Sequence, residues 1–314
     1  MEWYYILLIV IGSIILLNTL LIFLISYICF RMTFYVSHKK KIDEDELPFG
    51  DDYDAYKDKI LNNLKMAKEL PHKDYYITSY DGLKLHAMYF ESFKGGPIEI
   101  MFHGYRGNAF RDMSAGITRA KSVGRNALLI EQRTSGESEG NVITFGIKER
   151  HDCISWINFV IEEFGEDIEI ALAGVSMGGS TVLLASGMDL PKNVKMILAD
   201  SSFHNAKDII KKCVKDLKLP ADIFYPFIKL GAKLYGKFDL EETSSIEAVK
   251  QAKVPIIFFH GLCDDFVPCE MSYKLFESCA SRKKFITIPN AHHGLCYLVE
   301  PEKYVNELKI FIEE

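Results

Sequence analysis

The pentapeptide Gly174-Val175-Ser176-Met177-Gly178 sets a serine between two glycines, each two residues away. It follows the apolar run "IEIALAG" and precedes the small-residue stretch "GSTVLLASG", where a buried strand would hand over to a helix. Glycines at those positions permit the sharp turn that projects a serine hydroxyl as a nucleophile. A turn serine becomes a nucleophile only with a base beside it and a carboxylate to orient that base. Both residue types follow in the chain. "GLCDDFVP" (261–268) comes after the apolar run "PIIFFH", with Asp264 at its exit, and "NAHHG" (290–294) comes after "KFITIP", offering His292 and His293. Serine, acid and histidine in that order, each after a successive strand, point to acyl transfer by a Ser-Asp-His triad.

The elements that must position these groups can be read from hydrophobic patterning. "KDYYITSY" and "LKLHAMYFE" flank Asp81-Gly82 and predict a hairpin. Six short apolar runs follow, at 97–103, 126–131, 168–174, 195–200, 255–260 and 284–289, each suited to a strand buried on both faces. Helical stretches at 109–124, 147–164, 177–188, 268–280 and 299–313 separate or follow them. Two antiparallel strands leading six β–α units predict an α/β fold, with a mostly parallel sheet and helices on both faces. About 54 residues separate the runs at 195–200 and 255–260, and they carry helical periodicity and many aromatic residues. Ligands bind beyond the carboxyl ends of parallel strands, so this insertion, at about 203–250, is expected to cap the site.

With these pieces in place, the chain resembles the α/β-hydrolase superfamily over about residues 73–314. Within it, the chain is similar to bacterial membrane-anchored esterases, lipases and serine aminopeptidases. The matching segments are "FHGYRGN", "EQRTSGESEG", "ITFGIKERHD", "GVSMGG", "HGLCDDFVP" and "AHHG". The resemblance implies Asp264 as the acid, four residues before Pro268, with Asp265 as runner-up, and His293 rather than His292 as the base. It also implies an oxyanion hole from the backbone N–H groups of Met177 and Tyr105, and a structural role for His103. "EQRTSGESEG" (131–140) departs from the family pattern, with Glu131, Thr134 and Ser135 at positions where Asp, Gly and His are usual. That departure leaves the triad untouched and is expected to alter the pocket wall. Asp200 and His204 read as capping or locally hydrogen-bonded residues at a strand exit.

Composition bounds the rest. The 314 residues are 48% hydrophobic and 25% charged, with a net charge of −6, so no basic stripe suggests nucleic acid. Seven scattered cysteines without a CxxC pair read as reduced thiols, and neither Cys263/Asp264/Cys269 nor His292/His293/Cys296 repeats a zinc-site spacing. Neither metal nor organic cofactor is expected. From Trp3 to Phe30 run 28 residues without a charge, about 42 Å as a helix, enough to cross a membrane with tilt. Trp3, Tyr4, Tyr5, Tyr27 and Tyr35 suit the two interfaces, and the run is too long for a cleaved leader. Residues 1–35 therefore read as a single-pass anchor to the cell membrane and 36–72 as a juxtamembrane connection. Arg31, Lys39, Lys40 and Lys41 after the span place the remaining chain on the cytoplasmic side by the positive-inside rule.

The expected function is hydrolysis of esters or thioesters of apolar acyl groups, small molecules or lipids, through an acyl-enzyme. Phe224, Tyr225 and Phe227 are candidates to line the acyl pocket, with Leu230, Leu234 and Tyr235 adding to the cap's apolar character. A peptidase acting on short peptides is the alternative, and it would need a carboxylate such as Glu241 or Glu242 to grip an amino terminus. A non-catalytic, membrane-tethered binding protein is the third reading, disfavoured because no triad member is missing.

Overall fold

Ser79 and Leu83 close the first hairpin, with Gly82 taking the left-handed backbone its turn requires. In the computed structural model, which describes residues 2–37 and 51–314, this hairpin joins β1 (Lys73–Thr78) to β2 (Lys84–Phe90). The remaining strands are β3 (Ile98–Phe102), β4 (Asn126–Glu131), β5 (Ile170–Val175), β6 (Val194–Asp200), β7 (Ile256–Gly261) and β8 (Lys283–Ile288). They form one sheet in the order β1-β2-β4-β3-β5-β6-β7-β8, antiparallel at β1/β2 and β2/β4 and parallel elsewhere. Every residue of β3, β4 and β7 is buried, as a strand covered on both faces demands.

The helices, in chain order, are α1 (Trp3–Thr33), α2 (Asp51–Asp54), α3 (Lys57–Glu69), α4 (Ala109–Ser122), α5 (Glu149–Phe164) and α6 (Met177–Ser186). These are followed by α7 (Ala206–Asp216), α8 (Ala221–Leu234), α9 (Ser245–Val249), α10 (Cys269–Ser278), α11 (Cys296–Val299) and α12 (Pro301–Glu313). One sheet face is packed by Trp156, Ile157 and Val160 of α5, Val182 and Leu183 of α6 and Leu275 of α10. The opposite face takes Met113 and Ile117 of α4 with Tyr304, Leu308 and Phe311 of α12. This is the two-sided covering that the alternation of runs predicts.

A third apolar cluster lies over the carboxyl ends of the strands. The insertion between β6 and β7 folds as α7, α8 and α9, and Ile209, Ile210, Tyr225, Ile228 and Ala232 pack there with Met177, Phe203 and Val267. Cys29, Phe30 and Phe34, at the end of α1, belong to the same cluster. The long apolar helix thus has two parts. Trp3 to Leu24 lies exposed, and the last turns are built into the domain. The segment read as a juxtamembrane connection is also partly built in, since α3 lies against α4 and buries Ile60, Leu64 and Ala67. The basic Lys39, Lys40 and Lys41 fall outside the described residues.

Candidate active site

Ser176 occupies the single residue between β5 and α6, at φ 57° and ψ −120°, a conformation that non-glycine residues rarely adopt. Its N–H donates to the Asp200 carbonyl of the next strand at 2.9 Å, which holds the turn in place. The two motif glycines are required by close approach. A Cβ on Gly174 would stand 2.2 Å from the Gly178 carbonyl carbon, and one on Gly178 would stand 2.0 Å from the Phe102 oxygen. Ser176 begins α6 yet makes no side-chain cap bond, so its hydroxyl is not spent on the helix. Met177 follows as the first helical residue, and its N–H is one of those an α-helix leaves without an internal partner.

Asp264 and His293 come together from separate loops. Asp264 is 5% exposed; its Oδ1 accepts the N–H groups of Phe266 at 3.0 Å and Val267 at 2.7 Å, and its Oδ2 faces His293 Nδ1 at 2.7 Å. Burial pushes this carboxyl up. Hydrogen bonds and charge from His260 and His293 outweigh it and hold the group well below the usual carboxylate range. Asp265, the runner-up, is exposed to solvent. With Nδ1 engaged, Nε2 is the ring's remaining nitrogen, and His293, not His292, lines a cavity with Ser176. The His293 carbonyl accepts the Tyr53 hydroxyl at 2.9 Å, and Phe266 packs edge-on to the ring at 5.0 Å.

Patterning by itself assigns no role to His260. Fully buried at the end of β7, it lies 3.2 Å from Asp264 Oδ2 through Nε2, which also bonds the Val267 carbonyl at 2.8 Å. Its Nδ1 meets Ser272 Oγ at 2.6 Å, and that hydroxyl donates to the Ser202 carbonyl at 2.8 Å. The signal available was the four-residue spacing between His260 and Asp264. Tyr53 carried no such signal.

The loop after β3 lies on the serine. A Cβ on Gly104 would sit 3.6 Å from Ser176 Cβ. His103 is wedged beneath, its Nδ1 bonded to the Gly104 carbonyl at 2.9 Å and its Nε2 accepting the Gln132 N–H at 3.2 Å. Burial lowers its pKa, keeping the ring neutral in a structural role. Tyr105 and Arg106 then reach across to α1. Tyr105 donates its hydroxyl to the Thr33 carbonyl at 2.6 Å, and Arg106 donates to the Met32 carbonyl at 2.9 Å and the Tyr35 carbonyl at 3.2 Å.

The segment 131–140 does not shape the pocket wall, contrary to expectation. It lines neither cavity that reaches Ser176. Glu131 instead bonds His86 Nδ1 at 2.9 Å, while Arg133 grips Asp152 at 2.6 and 2.7 Å and Asp81 at 3.1 Å. Through Arg133, which is buried, the hairpin residue Asp81 is tied to Asp152 of α5. Asp200 is buried at the β6 exit, bonded by the Ser201 and Tyr304 hydroxyls at 2.9 and 3.1 Å. His204 makes a local bond to Asp208 at 2.8 Å.

Two cavities meet at Ser176. One, of about 220 Å³, has mixed walls, in which Tyr53, Asn63, Arg111, Asp112 and His293 stand among apolar side chains such as Met113, Val175 and Leu298. The other, of about 400 Å³, is walled almost wholly by apolar side chains from α1, α7 and α8. Of the aromatic candidates, Phe224 lines it. Tyr225 and Phe227 do not, a correction that follows from helix geometry: residues 224 and 228 share one face of α8. Tyr225 turns into the cap core, where its hydroxyl donates to Glu241 at 2.7 Å, and Phe227 packs in the same cluster. Glu241 also pairs with Lys229 and Glu242 with Arg150, and neither carboxylate lines either of these two cavities. All seven cysteines are free thiols, and among the described residues no group of three or more His, Cys, Asp or Glu is arranged to hold a metal ion.

Residues 144–314 match the model of the prolyl oligopeptidase family. The uncharacterized protein YqkD of Bacillus subtilis is 23% identical over 192 residues, covering 61% of this chain and 63% of that relative's length. The esterase Pf2001 of Pyrococcus furiosus superposes with a TM-score of 0.64 at 22% identity, over 79% of this chain and 94% of that one. A puromycin-hydrolyzing peptidase of Mycobacterium tuberculosis gives 0.61 at 16% identity, over 78% of this chain and 39% of its own. Both solved structures share the fold.

Proposed function

We propose, from the premise that the chain belongs to the prolyl oligopeptidase family of α/β hydrolases, that this hydrolase cleaves carboxylic esters of apolar acyl groups. Ser176 is the nucleophile, His293 the base and Asp264 the acid that orients it. The observation carrying this reading is the position of Ser176 between an almost wholly apolar cavity and a smaller one whose walls also carry polar side chains. An acyl chain fits the first and a hydroxylated leaving group the second. His293 Nε2 takes the Ser176 proton as Oγ attacks the ester carbonyl. The backbone N–H groups of Met177 and Tyr105 receive the oxyanion, a pair of contacts worth roughly 3–4 kcal/mol each in such sites. The ester C–O bond breaks as His293 returns the proton to the departing alcohol. Water then repeats the sequence on the acyl-enzyme, releasing the acid and restoring the serine.

A peptidase would need a free carboxylate beside Ser176 to hold an amino terminus, and the engagement of Glu241 and Glu242 with Lys229 and Arg150 weighs against it. The apolar, exposed Trp3–Leu24 stretch supports a single membrane span, and Arg31, Lys39, Lys40 and Lys41 support a cytoplasmic active site. The test is fluorophosphonate labelling of wild type and Ser176→Ala, beside turnover of p-nitrophenyl esters and an aminoacyl p-nitroanilide. Labelling lost in the variant with ester cleavage supports this reading. Anilide cleavage alone would replace the esterase with the peptidase, and a folded wild type that neither labels nor turns over would end both.

A further inference from the structure

The apolar cavity is not closed by the α/β domain and its cap alone. Ile25, Ile28, Cys29 and Met32 line it from α1, spaced i, i+3, i+4 and i+7 so that they form one stripe down the helix. Ile210 and Leu217 face them from around α7, and Phe224 and Ile228 from α8. Ser176, 6% exposed, also lines it.

The outer end has an apolar rim. Ile28 is 47% exposed, Met32 65%, Leu217 65% and Leu219 42%, and Ile223 continues the exposed patch along the cap. An open rim of this kind would be costly in water, since contiguous exposed apolar surface marks a site that meets another apolar phase. The phase is indicated by the same helix. From Trp3 to Leu24 α1 is exposed throughout, about 33 Å at 1.5 Å per residue and close to the roughly 30 Å of a bilayer core. The rim begins within the next turn.

The end of α1 is also fastened to the site. Its last carbonyls take the Tyr105 hydroxyl and the Arg106 guanidinium, from the loop that lies on Ser176. On its other side Tyr235 donates to the Phe23 carbonyl at 3.1 Å, and a Cβ on Gly231 would stand 2.5 Å from the Ser26 carbonyl, so α8 and α1 meet backbone to backbone.

We propose that Ile25, Ile28, Cys29 and Met32 form one wall of the acyl site, and that the occupant is a single acyl chain of an ester lipid drawn sideways from the membrane that α1 spans. This rests on Ser176 being the nucleophile and α1 the anchor. The leaving group of such a lipid, a polar head, falls in the cavity of about 220 Å³ on the other side of Ser176. The membrane helix is then part of the binding site as well as the tether.

The experiment uses the full-length chain in phosphatidylcholine vesicles. Turnover of p-nitrophenyl laurate and acetate is compared in wild type, Cys29→Phe and Met32→Trp, with 1-lauroylglycerol in the same vesicles as the lipid probe. Fluorophosphonate labelling reports an intact serine site. The kcat/KM ratio of laurate to acetate should fall at least about tenfold in the variants while labelling is retained, because filling an apolar pocket discriminates by chain volume. Met32→Trp sits on the exposed rim and carries the test should Cys29→Phe fail to label. An unchanged ratio, or both esters declining in step, overturns the wall. A wild type that cleaves acetate and laurate but not the vesicle-borne lipid overturns the lipid as occupant. A wild type with neither labelling nor turnover removes the hydrolase reading itself, and this inference with it.

Discussion

His260 Nε2 lies 3.2 Å from the same Asp264 oxygen that His293 Nδ1 holds at 2.7 Å. The other carboxylate oxygen is taken by two backbone N–H groups, so donors surround Asp264 on every side. A carboxylate held this way cannot swing, and neither can the imidazole it orients. His260 in turn is held at both ring nitrogens, by Val267 and Ser272. Asp264 is therefore fixed by a chain of contacts running back into α10.

Asp264→Asn should lower kcat by about four orders of magnitude, as loss of the orienting acid does in serine hydrolases. Asp265→Asn, at an exposed position, should stay within about threefold of wild type. Steady-state kinetics on one p-nitrophenyl ester decides between them. The opposite ranking would mean that Asp265 is the acid.

His260→Gln keeps a polar side chain at the site but loses the geometry that steadies Asp264. A misplaced acid displaces the base, and a displacement of this kind costs about a hundredfold in rate. The expectation is a fall in kcat with KM nearly constant. A KM effect with kcat intact would make His260 a packing residue only.

His103 gives the fold a pH dependence of known sign. Its folded pKa is lowered by burial, so the unfolded chain binds a proton more readily, with a reference pKa of about 6.5. Stability is then full above that value and declines as pH falls below it toward the folded pKa. Urea midpoints at pH 7.5 and pH 5.5 should differ more in wild type than in His103→Asn. Equal differences would show that the loss on acidification originates elsewhere.

Gly231→Val tests the seam between α1 and α8. Its Cβ would fall 2.5 Å from the Ser26 carbonyl and 3.0 Å from Phe30 Cβ, and overpacking of this kind costs about 1–3 kcal/mol. The full-length variant should melt at a lower temperature than wild type and should exchange amide hydrogens faster at the end of α1. Unchanged exchange would mean the two helices are not tightly joined.

Much of this protein is legible in its sequence. The hairpin at Asp81-Gly82, the six strand runs and the helices between them are local patterns, because a strand or helix declares itself through the period of its own apolar residues. Burial on both faces, expected of all six, fails at β8, which the sheet order puts at an edge and leaves half-buried from Lys283 to Thr287. Ser176, Asp264 and His293 could be named for a similar reason: each stands at the exit of a strand, and the order of strands along the chain is visible. The turn at Ser176 is local only in part: Gly174 is required by the backbone of Gly178 four residues on, whereas Gly178 is required by Phe102 at the end of β3.

What required the folded molecule was every contact between distant segments. The bond from Tyr105 to Thr33 joins residues 72 apart, and that from Tyr53 to His293 joins residues 240 apart. On α8, Phe224 and Tyr225 look alike as sequence, yet only the packed helix decides which of them meets the cavity. The same holds more strongly for α1. A helix that is apolar on every side carries no amphipathic signal, so its sequence determines that it avoids water and not which stripe avoids it against protein. Only the tertiary structure selects Ile25, Ile28, Cys29 and Met32, because that choice is made by the shape of α7 and α8 opposite.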